Sequence, residues 1–483
     1  MAIEGLTQEQ VQAAADTVQV HKFGGSSLAD AFCYRRVARI VTEYAGASDV
    51  VVVSAAGDTT NRILAIIAAA KKPGDTAAIL LEQLEKFQLG LINELLGSDL
   101  AQSLCQLSNA DFERFRRFIR GKESISRDAE LLAYGELWSA RLLAALLRKQ
   151  GTRAEHIDAR DFLCAEDAPE PLIQEQVSRE GLLQRVAPYP GTRFIVTGFI
   201  ARGLNSESLT LGRNGSDYSA TLVGSLLDAK QVTIWKDVAG VYSADPRKIE
   251  RVVSLPALDW SEAEELARLG SPVLHPRTFQ PVNRERMVIS VRSSLKVENQ
   301  QTRIGQFEHA EPRGKVFTSL SEVVLFKIEL NDKRLVDQLD ELDLEPIFSW
   351  TEPEKHHQYL VFHQNHLDYI SRWLEQIDND NAVTQIRGYS MVALVGDRIQ
   401  ETDQYTTFKL QLSEQKVRRF GLGEHGNSAI AILEQQLDSR FLNRLHSQLF
   451  NYRRSLGVLV LGRGNIGSAW LELFKQQRDR INQ

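Results

Sequence analysis

Cysteine is scarce: Cys33, Cys105 and Cys164 are the three in 483 residues. Their number is odd and none belongs to a C-x-x-C pair, which argues against a disulfide framework or a cysteine-built zinc site and fits a reducing compartment. There is no run of five or more basic residues, and the formal net charge is -6. The chain therefore lacks the positive footprint that a nucleic acid requires. No apolar run approaches the roughly 18 residues of a membrane span. The N-terminus, MAIEGLTQEQVQAAADTVQV, lacks the basic start and apolar core of a secretory signal. These absences predict a cytoplasmic, water-soluble protein without a nucleic-acid or membrane partner.

With 43% hydrophobic and 25% charged residues the composition is that of an ordinary globular protein, and at roughly 150 residues per domain the length suggests about three domains. Over the first 300 residues short apolar runs alternate with helix-period stretches. Val18–Lys22, Val50–Ser54, Phe194–Thr197 and Val232–Trp235 read as buried strands. Ala129–Gln150 reads as a helix ending at Gly151, and another helix is expected from Ser261, with Glu264 closing a capping box. Such alternation implies an α/β fold, a mostly parallel open sheet between helices.

After Gly305 the texture changes. Residues 306–320, containing EHAEPRGK, read as a linker. Residues 321–453 hold two successive strand–helix sets: Val323–Glu329, Leu335–Leu342, Tyr359–His363 and Leu367–Gln376, then Met391–Val395, Tyr405–Leu412, Ser428–Glu434 and Ser439–Leu449. They suggest a pair of small α+β modules. Residues 455–483 contain a short strand, G-R-G-N-I-G and a helical stretch, and read as the opening of a further domain; residues 1–19 read as an extension.

Five motifs carry possible chemistry. Lys22-Phe23-Gly24-Gly25-Ser26-Ser27 ends the first strand. Its glycines let backbone N–H groups approach an anion, a following helix start would add positive charge, and Lys22 adds a full charge. It is not a Walker A loop, whose spacing is absent. Ser54-Ala-Ala-Gly57-Asp58-Thr59-Thr60 also follows a strand, where open α/β sheets collect ligands. Tyr134-Gly135-Glu136 lies inside the long helix, and Glu136 by itself reads as a solvated helix face. In Leu211-Gly-Arg213-Asn214-Gly215-Ser216-Asp217-Tyr218, Arg213 offers a fork for a carboxylate, and Ser216 and Asp217 are placed to cap a helix or hold a ligand. Ile234-Trp235-Lys236-Asp237 through Tyr242 to Asp245-Pro246-Arg247 is a strand opening into a loop suited to a nucleotide.

The order K-F-G-G-S-S, V-S-A, Y-G-E, L-G-R-N-G-S-D-Y-S-A, W-x-D-V-x-G-V-Y-x-x-D-P-R and V-L-H-P-R-T resembles the aspartokinases of the amino-acid kinase superfamily, over residues 20–305. The later modules resemble that family's paired ferredoxin-like ACT modules. The tail, with Gly462, Gly464, Asn465, Ile466 and Gly467, is similar to the NAD(P)-binding start of a homoserine dehydrogenase, the layout of the methionine-branch bifunctional enzymes. The resemblance implies ATP with Mg²⁺ and L-aspartate as ligands, NADP only for the dehydrogenase part, and a homodimer or homotetramer formed through the ACT region. It implies Lys22, Gly24, Gly25 and Ser26 at the phosphates and Lys22 and Asp217 as the catalytic pair. Ser54, Thr60, Glu136, Arg213 and Ser216 are implied around aspartate, and Lys236, Asp237, Tyr242 and Arg247 around the nucleotide; no metal ligand is assigned.

Two positions depart from the family pattern: Pro272 replaces a lysine, and Lys236 replaces a small hydroxyl residue. Lys236 is expected either to restore the missing charge or to be a solvated loop lysine. The loops after the two ACT strands, Asn331-Asp332-Lys333-Arg334 and Asp397-Arg398-Ile399-Gln400-Glu401, lack the glycines of effector sites, so a weak response to lysine or threonine is expected. The alternatives are a kinase for another acidic metabolite and a catalytically weak scaffold.

Overall fold

The computed structural model describes residues 18–121, 128–168, 171–212, 214–271, 273–298, 301–307, 313–329, 345–367, 370–371 and 383–450, together with 464, 468–473 and 477. The strands are β1 (Gln19–Phe23), β2 (Val50–Val53), β3 (Ala154–Ile157), β4 (Cys164–Glu166), β5 (Leu172–Ile173), β6 (Arg193–Thr197), β7 (Ile200–Gly203), β8 (Ser208–Thr210) and β9 (Gln231–Lys236). They continue with β10 (Ala257–Asp259), β11 (Val288–Ser293), β12 (Thr302–Gly305), β13 (Arg313–Glu329), β14 (Phe348–Glu352), β15 (His357–His363), β16 (Val383–Asp397), β17 (Val417–Leu422) and β18 (Ser428–Leu433). The α-helices are α1 (Ala31–Tyr44), α2 (Thr59–Ala70), α3 (Thr76–Leu95), α4 (Ser98–Ile119), α5 (Asp128–Lys149), α6 (Glu175–Val186), α7 (Gly215–Leu226), α8 (Trp260–Arg268), α9 (Asp403–Leu412) and α10 (Ser439–Leu449).

The first sheet has eight strands in the order β10-β12-β11-β9-β1-β2-β6-β3. All neighbours are parallel except β11 and β12. Strand β2 shows why. All four of its valines are buried, but Val50 and Val52 belong to one apolar core and Val51 and Val53 to another. Successive side chains point to opposite faces, so an uninterrupted valine run requires helices on both. Helix α7 packs into the first core and helices α1 and α5 supply much of the second. Between β1 and β9 the winding reverses, and the carboxyl ends of β1, β2, β6 and β9 open on one edge. A small sheet, β5-β4-β7-β8, lies beside it.

The second large sheet is antiparallel, in the order β14-β15-β13-β16-β18-β17. Here the linker reading is corrected from Arg313 onward: residues 313–320 are the first part of β13 and pair with β16 from Met391 to Asp397. Val316, Phe317 and Leu320 are buried, so this stretch has an apolar side that a solvated linker would not tolerate. The two modules also share one continuous sheet, because β13 lies between β15 and β16. Strands β14 and β17 were not foreseen, and the expected helices at Leu335–Leu342 and most of Leu367–Gln376 fall outside the described residues.

Helix α8 joins the two sheets. Its capping box is Asp259 with Glu262, not Ser261 with Glu264. Glu262 is 1% exposed; one carboxylate oxygen accepts from the Asp259 N–H (2.8 Å) and pairs with Lys315 of β13 (2.7 Å). The other accepts from the Asp397 N–H (3.1 Å). Among the described residues no helix is long and apolar enough to cross a membrane.

Candidate active site

Strand β1 delivers Lys22 to the sheet's carboxyl edge. Residues Gly25–Leu28 then make one turn of 3₁₀-helix, and α1 begins only at Ala31, capped by Asp30, whose side chain accepts from the Cys33 N–H (2.8 Å). The α-helix start expected directly after Lys22 is therefore displaced to Ala31, and the leading N–H groups of the short turn remain as that segment's backbone donors. Gly25 is sterically required: a Cβ there would lie 2.9 Å from the carbonyl oxygens of both Ala55 and Gly57. The loops after β1 and β2 thus touch backbone to backbone, with the Gly57 N–H donating to Gly25 O (3.0 Å). Ser26 is exposed, whereas Ser27 is buried with its hydroxyl against that of Ser294 (3.1 Å).

Helix α7 starts at Gly215 after Asn214, which has φ +55° and makes no side-chain cap. Ser216 is thus inside the first turn and is not the cap. Asp217, in the same turn, is buried and receives two cations: Lys22 Nζ at 2.5 Å from Oδ1 and Lys236 Nζ at 3.0 Å from Oδ2. Burial by itself would raise the Asp217 pKa, but the two ammonium groups overcome it and hold the carboxyl down at about 2. Burial lowers the Lys22 pKa, against the pull of Asp217. The position of Lys236 corrects the solvated-loop reading. Its side chain is 20% exposed and its charge faces Asp217 beside Lys22.

This cluster lines a cleft of about 520 Å³ together with Gly24, Ser26, Asn214, Asp237, Tyr242 and Arg247. The structure therefore brings together all of the expected nucleotide-side residues except Gly25, which faces the β2 loop. Arg247 is held by Asp245, Nε to Oδ1 at 3.0 Å and a terminal nitrogen to Oδ2 at 2.8 Å. The far wall comes from β13, residues Val316–Leu320, and from His363 of β15. Among the described residues there is no group of three or more His, Cys, Asp or Glu side chains able to hold a metal ion.

A second group surrounds Glu136. The solvated-face reading of this residue is overturned: it is 2% exposed. Gly135 makes this possible, because a Cβ there would lie 2.9 Å from the Ala55 Cβ, so α5 presses directly on the loop after β2. Glu136 Oε1 accepts from the Ala55 N–H (3.2 Å), while Oε2 is buried without a partner. Burial raises its pKa to about 8, the Ala55 N–H opposing in part. Ser54 adjoins Ala55, its N–H donating to Phe23 O beside Lys22 (3.1 Å), and the Gly198 N–H donates to Val53 O (2.9 Å). A Cβ on Gly198 would be 2.9 Å from that of Ser216, so Ser54, Glu136 and Ser216 gather at the ends of β1, β2 and β6. Thr60, on the first turn of α2, is half-buried; its neighbour Thr59 is buried and donates to Ala56 O (2.6 Å).

Arg213 and Pro272 lie outside the described residues, as do Gly462, Asn465, Ile466 and Gly467, leaving Gly464 alone of that motif. Two site components were missed in the sequence. Asn214 lines the cleft. Arg277, from V-L-H-P-R-T, braces the L-G-R-N-G loop by donating to Leu211 O (2.7 Å) with its guanidinium over the Tyr218 ring (4.5 Å). The motif marked Arg277 as special, but nothing local could reveal a contact with a loop 66 residues away.

The chain is 37% identical over 480 residues, 98% of its length, to bifunctional aspartokinase/homoserine dehydrogenase 2 of Escherichia coli (strain K12), and covers 59% of that protein. It is 32% identical over 294 residues, 57% of its length and 50% of the relative's, to the chloroplastic aspartokinase 1 of Arabidopsis thaliana. The chain thus spans between half and three-fifths of the curated relatives it matches. The fold is similar to that of E. coli aspartokinase III crystallised with aspartate and ADP, with a TM-score of 0.77 and 22% identity over 90% of this chain and 99% of that one. The amino acid kinase family profile matches residues 17–293, and with the parallel sheet and its carboxyl-edge cleft this places the chain in the amino acid kinase family.

Proposed function

We propose that the chain is an aspartate kinase, moving the γ-phosphoryl group of MgATP to the side-chain carboxylate of L-aspartate to give ADP and 4-phospho-L-aspartate. The observation that carries this reading is the buried Lys22–Asp217–Lys236 cluster between a nucleotide-sized cleft and the unsatisfied carboxylate of Glu136. The acceptor carboxylate, with a reference pKa near ~3.9, is ionised at pH 7 and needs no general base. One of its oxygens attacks the γ-phosphorus, the bond to the β,γ-bridging oxygen breaks, and the electron pair leaves on ADP. The difficulty is bringing an anion to a polyanion, which charged donors held in position relieve.

Lys22 and Lys236 are the cations for the transferring phosphoryl group, both held in place by Asp217. The N–H groups of the Gly24–Ser26 turn add backbone donors, and Asp237, Tyr242 and Arg247 hold the rest of the nucleotide. Glu136 faces the α-ammonium of aspartate, with Ser54, Thr60 and Ser216 around it and Arg213 on the α-carboxylate. Magnesium enters as MgATP. Gly462, Gly464, Asn465, Ile466 and Gly467 would open an NADP-binding fold of homoserine dehydrogenase type. The antiparallel sheet is the surface for a homodimer or homotetramer, and the cytosol is the compartment. A weak effector response is supported by the carboxyl end of β16, where the Gly396 and Asp397 N–H groups already donate to Asn427 O and Glu262.

The test is ADP release with aspartate, glutamate and N-acetylglutamate as acceptors. Release that depends on aspartate alone is expected. Release with none of them would sink the kinase reading, and equal release with glutamate would move it to another acidic metabolite.

A further inference from the structure

The loop from Tyr242 to Ile249 supplies seven of the residues lining the cleft and lies between β9 and β10, where an isolated bridge joins Tyr242 to Ser254 and the Ser243 N–H donates to Val253 O (2.8 Å). The antiparallel-sheet region adds further holds on it. Ser243 is 1% exposed. Its carbonyl accepts from the Phe317 N–H of β13 (2.7 Å), and its hydroxyl accepts from the Val253 N–H (3.0 Å). The same hydroxyl is 3.0 Å from Nε2 of His446, itself 1% exposed, on α10. One turn earlier on that helix, Asn443 Oδ1 accepts from the Glu250 N–H (3.0 Å). Residues three apart on a helix share a face, so one face of α10 grips both ends of the loop. Between these grips Ala244 and Ile249 pack into a core with Phe317, Phe408, Leu445 and Leu449.

We infer that His446 and Asn443 are positioning residues for nucleotide binding, setting the loop that carries Tyr242 and Arg247 from a helix more than 190 residues away in the chain. The inference rests on the cleft being the nucleotide site. His446 suits a fixed hydrogen bond: its ring packs against Phe450 at 4.8 Å and Phe317 at 6.4 Å, and burial pushes its pKa down to about 4, so the imidazole is neutral at pH 7. Neither side chain lines the cleft, so their effect must pass through the loop. Loss of either grip should weaken nucleotide binding while leaving aspartate binding and turnover at saturation nearly as they were.

The experiment uses the full chain and two readouts, MgADP affinity by calorimetry and steady-state kinetics with each substrate varied. His446→Leu should raise the Kd for MgADP and the KM for ATP about tenfold, the scale of one net hydrogen bond. The kcat and the KM for aspartate should stay within about twofold, and His446→Gln, which retains a polar nitrogen, should recover most of the affinity. Asn443→Ala, on a more exposed part of the helix, should give the same pattern at about threefold and decides the matter if His446→Leu does not fold. Unchanged MgADP affinity in the variants would overturn the inference, as would equal losses for both substrates. A parent that binds MgADP but does not phosphorylate aspartate would remove the proposed acceptor and leave the positioning role to be judged on affinity; a parent that binds no MgADP would overturn both.

Discussion

Glu136 yields a quantitative test of the proposed aspartate pocket. Its carboxylate has one oxygen on the Ala55 N–H and the other without a partner, and burial raises its pKa from 4.5 to about 8. At pH 7 roughly nine in ten molecules of the free protein therefore carry a proton there. An ammonium group beside Oε2 favours the ionised form and pulls the pKa back down. Binding of L-aspartate at pH 7 should consequently release about 0.9 proton, falling to about 0.5 at pH 8 and vanishing above pH 9. Affinity should rise about tenfold between pH 6 and 7 and level off past pH 8. The contribution of Glu136 to the stability of the free protein moves the other way. The folded pKa exceeds the unfolded value, so the Glu136 contribution to stability is fully present below pH 4.5 and is lost as pH rises to about 8, a change on the order of 4 kcal/mol. Calorimetry in buffers of different ionisation enthalpy counts the protons directly. Glu136→Gln keeps the shape and should abolish proton release, weaken aspartate binding by about 10²-fold or more, and flatten that part of the stability profile. Aspartate binding by the parent without proton release, and with a pH-independent Kd, would refute the assignment of Glu136 to the ammonium group.

Lys22→Ala should abolish phosphoryl transfer while leaving the far-ultraviolet circular dichroism intact; turnover within tenfold of the parent would remove Lys22 from the chemistry. Lys236→Ser deletes the second cation on Asp217 and should lower kcat by about 10²-fold, the scale of one electrostatic donor. An unchanged kcat and KM for ATP would return Lys236 to a structural role. Gly135→Ala places a methyl 2.9 Å from the Ala55 Cβ and should raise the KM for aspartate through displacement of Glu136, with a melting temperature lowered by a few degrees, as overpacking costs about 1–3 kcal/mol; wild-type kinetics would show that the helix moves without cost.

Strands β1, β2, β6 and β9 of the first sheet were legible because burial on both faces leaves an apolar run such as Val50–Val53, whereas β3, β10, β11 and β12 were not read; the α5 helix was legible because Gly151, at φ +85°, ends it as a left-handed residue. The motif residues Lys22, Asp217 and Lys236 stood out in the sequence by residue type and by position at a strand end or a helix start. What local sequence could not contain was their relation to one another. The two lysines share one carboxylate because β1 and β9 are adjacent in the sheet, in register from Gln19 opposite Gln231 to Phe23 opposite Trp235, while α7 begins at their ends. The capping box moved by two residues because Asp259 and Ser261 are both good caps, and the choice went to the pair in which Glu262 could also reach Lys315 and Asp397. Residues 313–320 looked like a linker by composition, and became a strand because β16 offers them a partner. Glu136 is the clearest division. Its place in a helix was set by sequence alone, but its burial, and with it a proton near pH 8, came from a glycine that lets α5 press against a loop some 80 residues earlier. Periodicity and residue type act over a few residues, whereas desolvation and charge pairing depend on which distant segments the packed fold brings within a few ångströms.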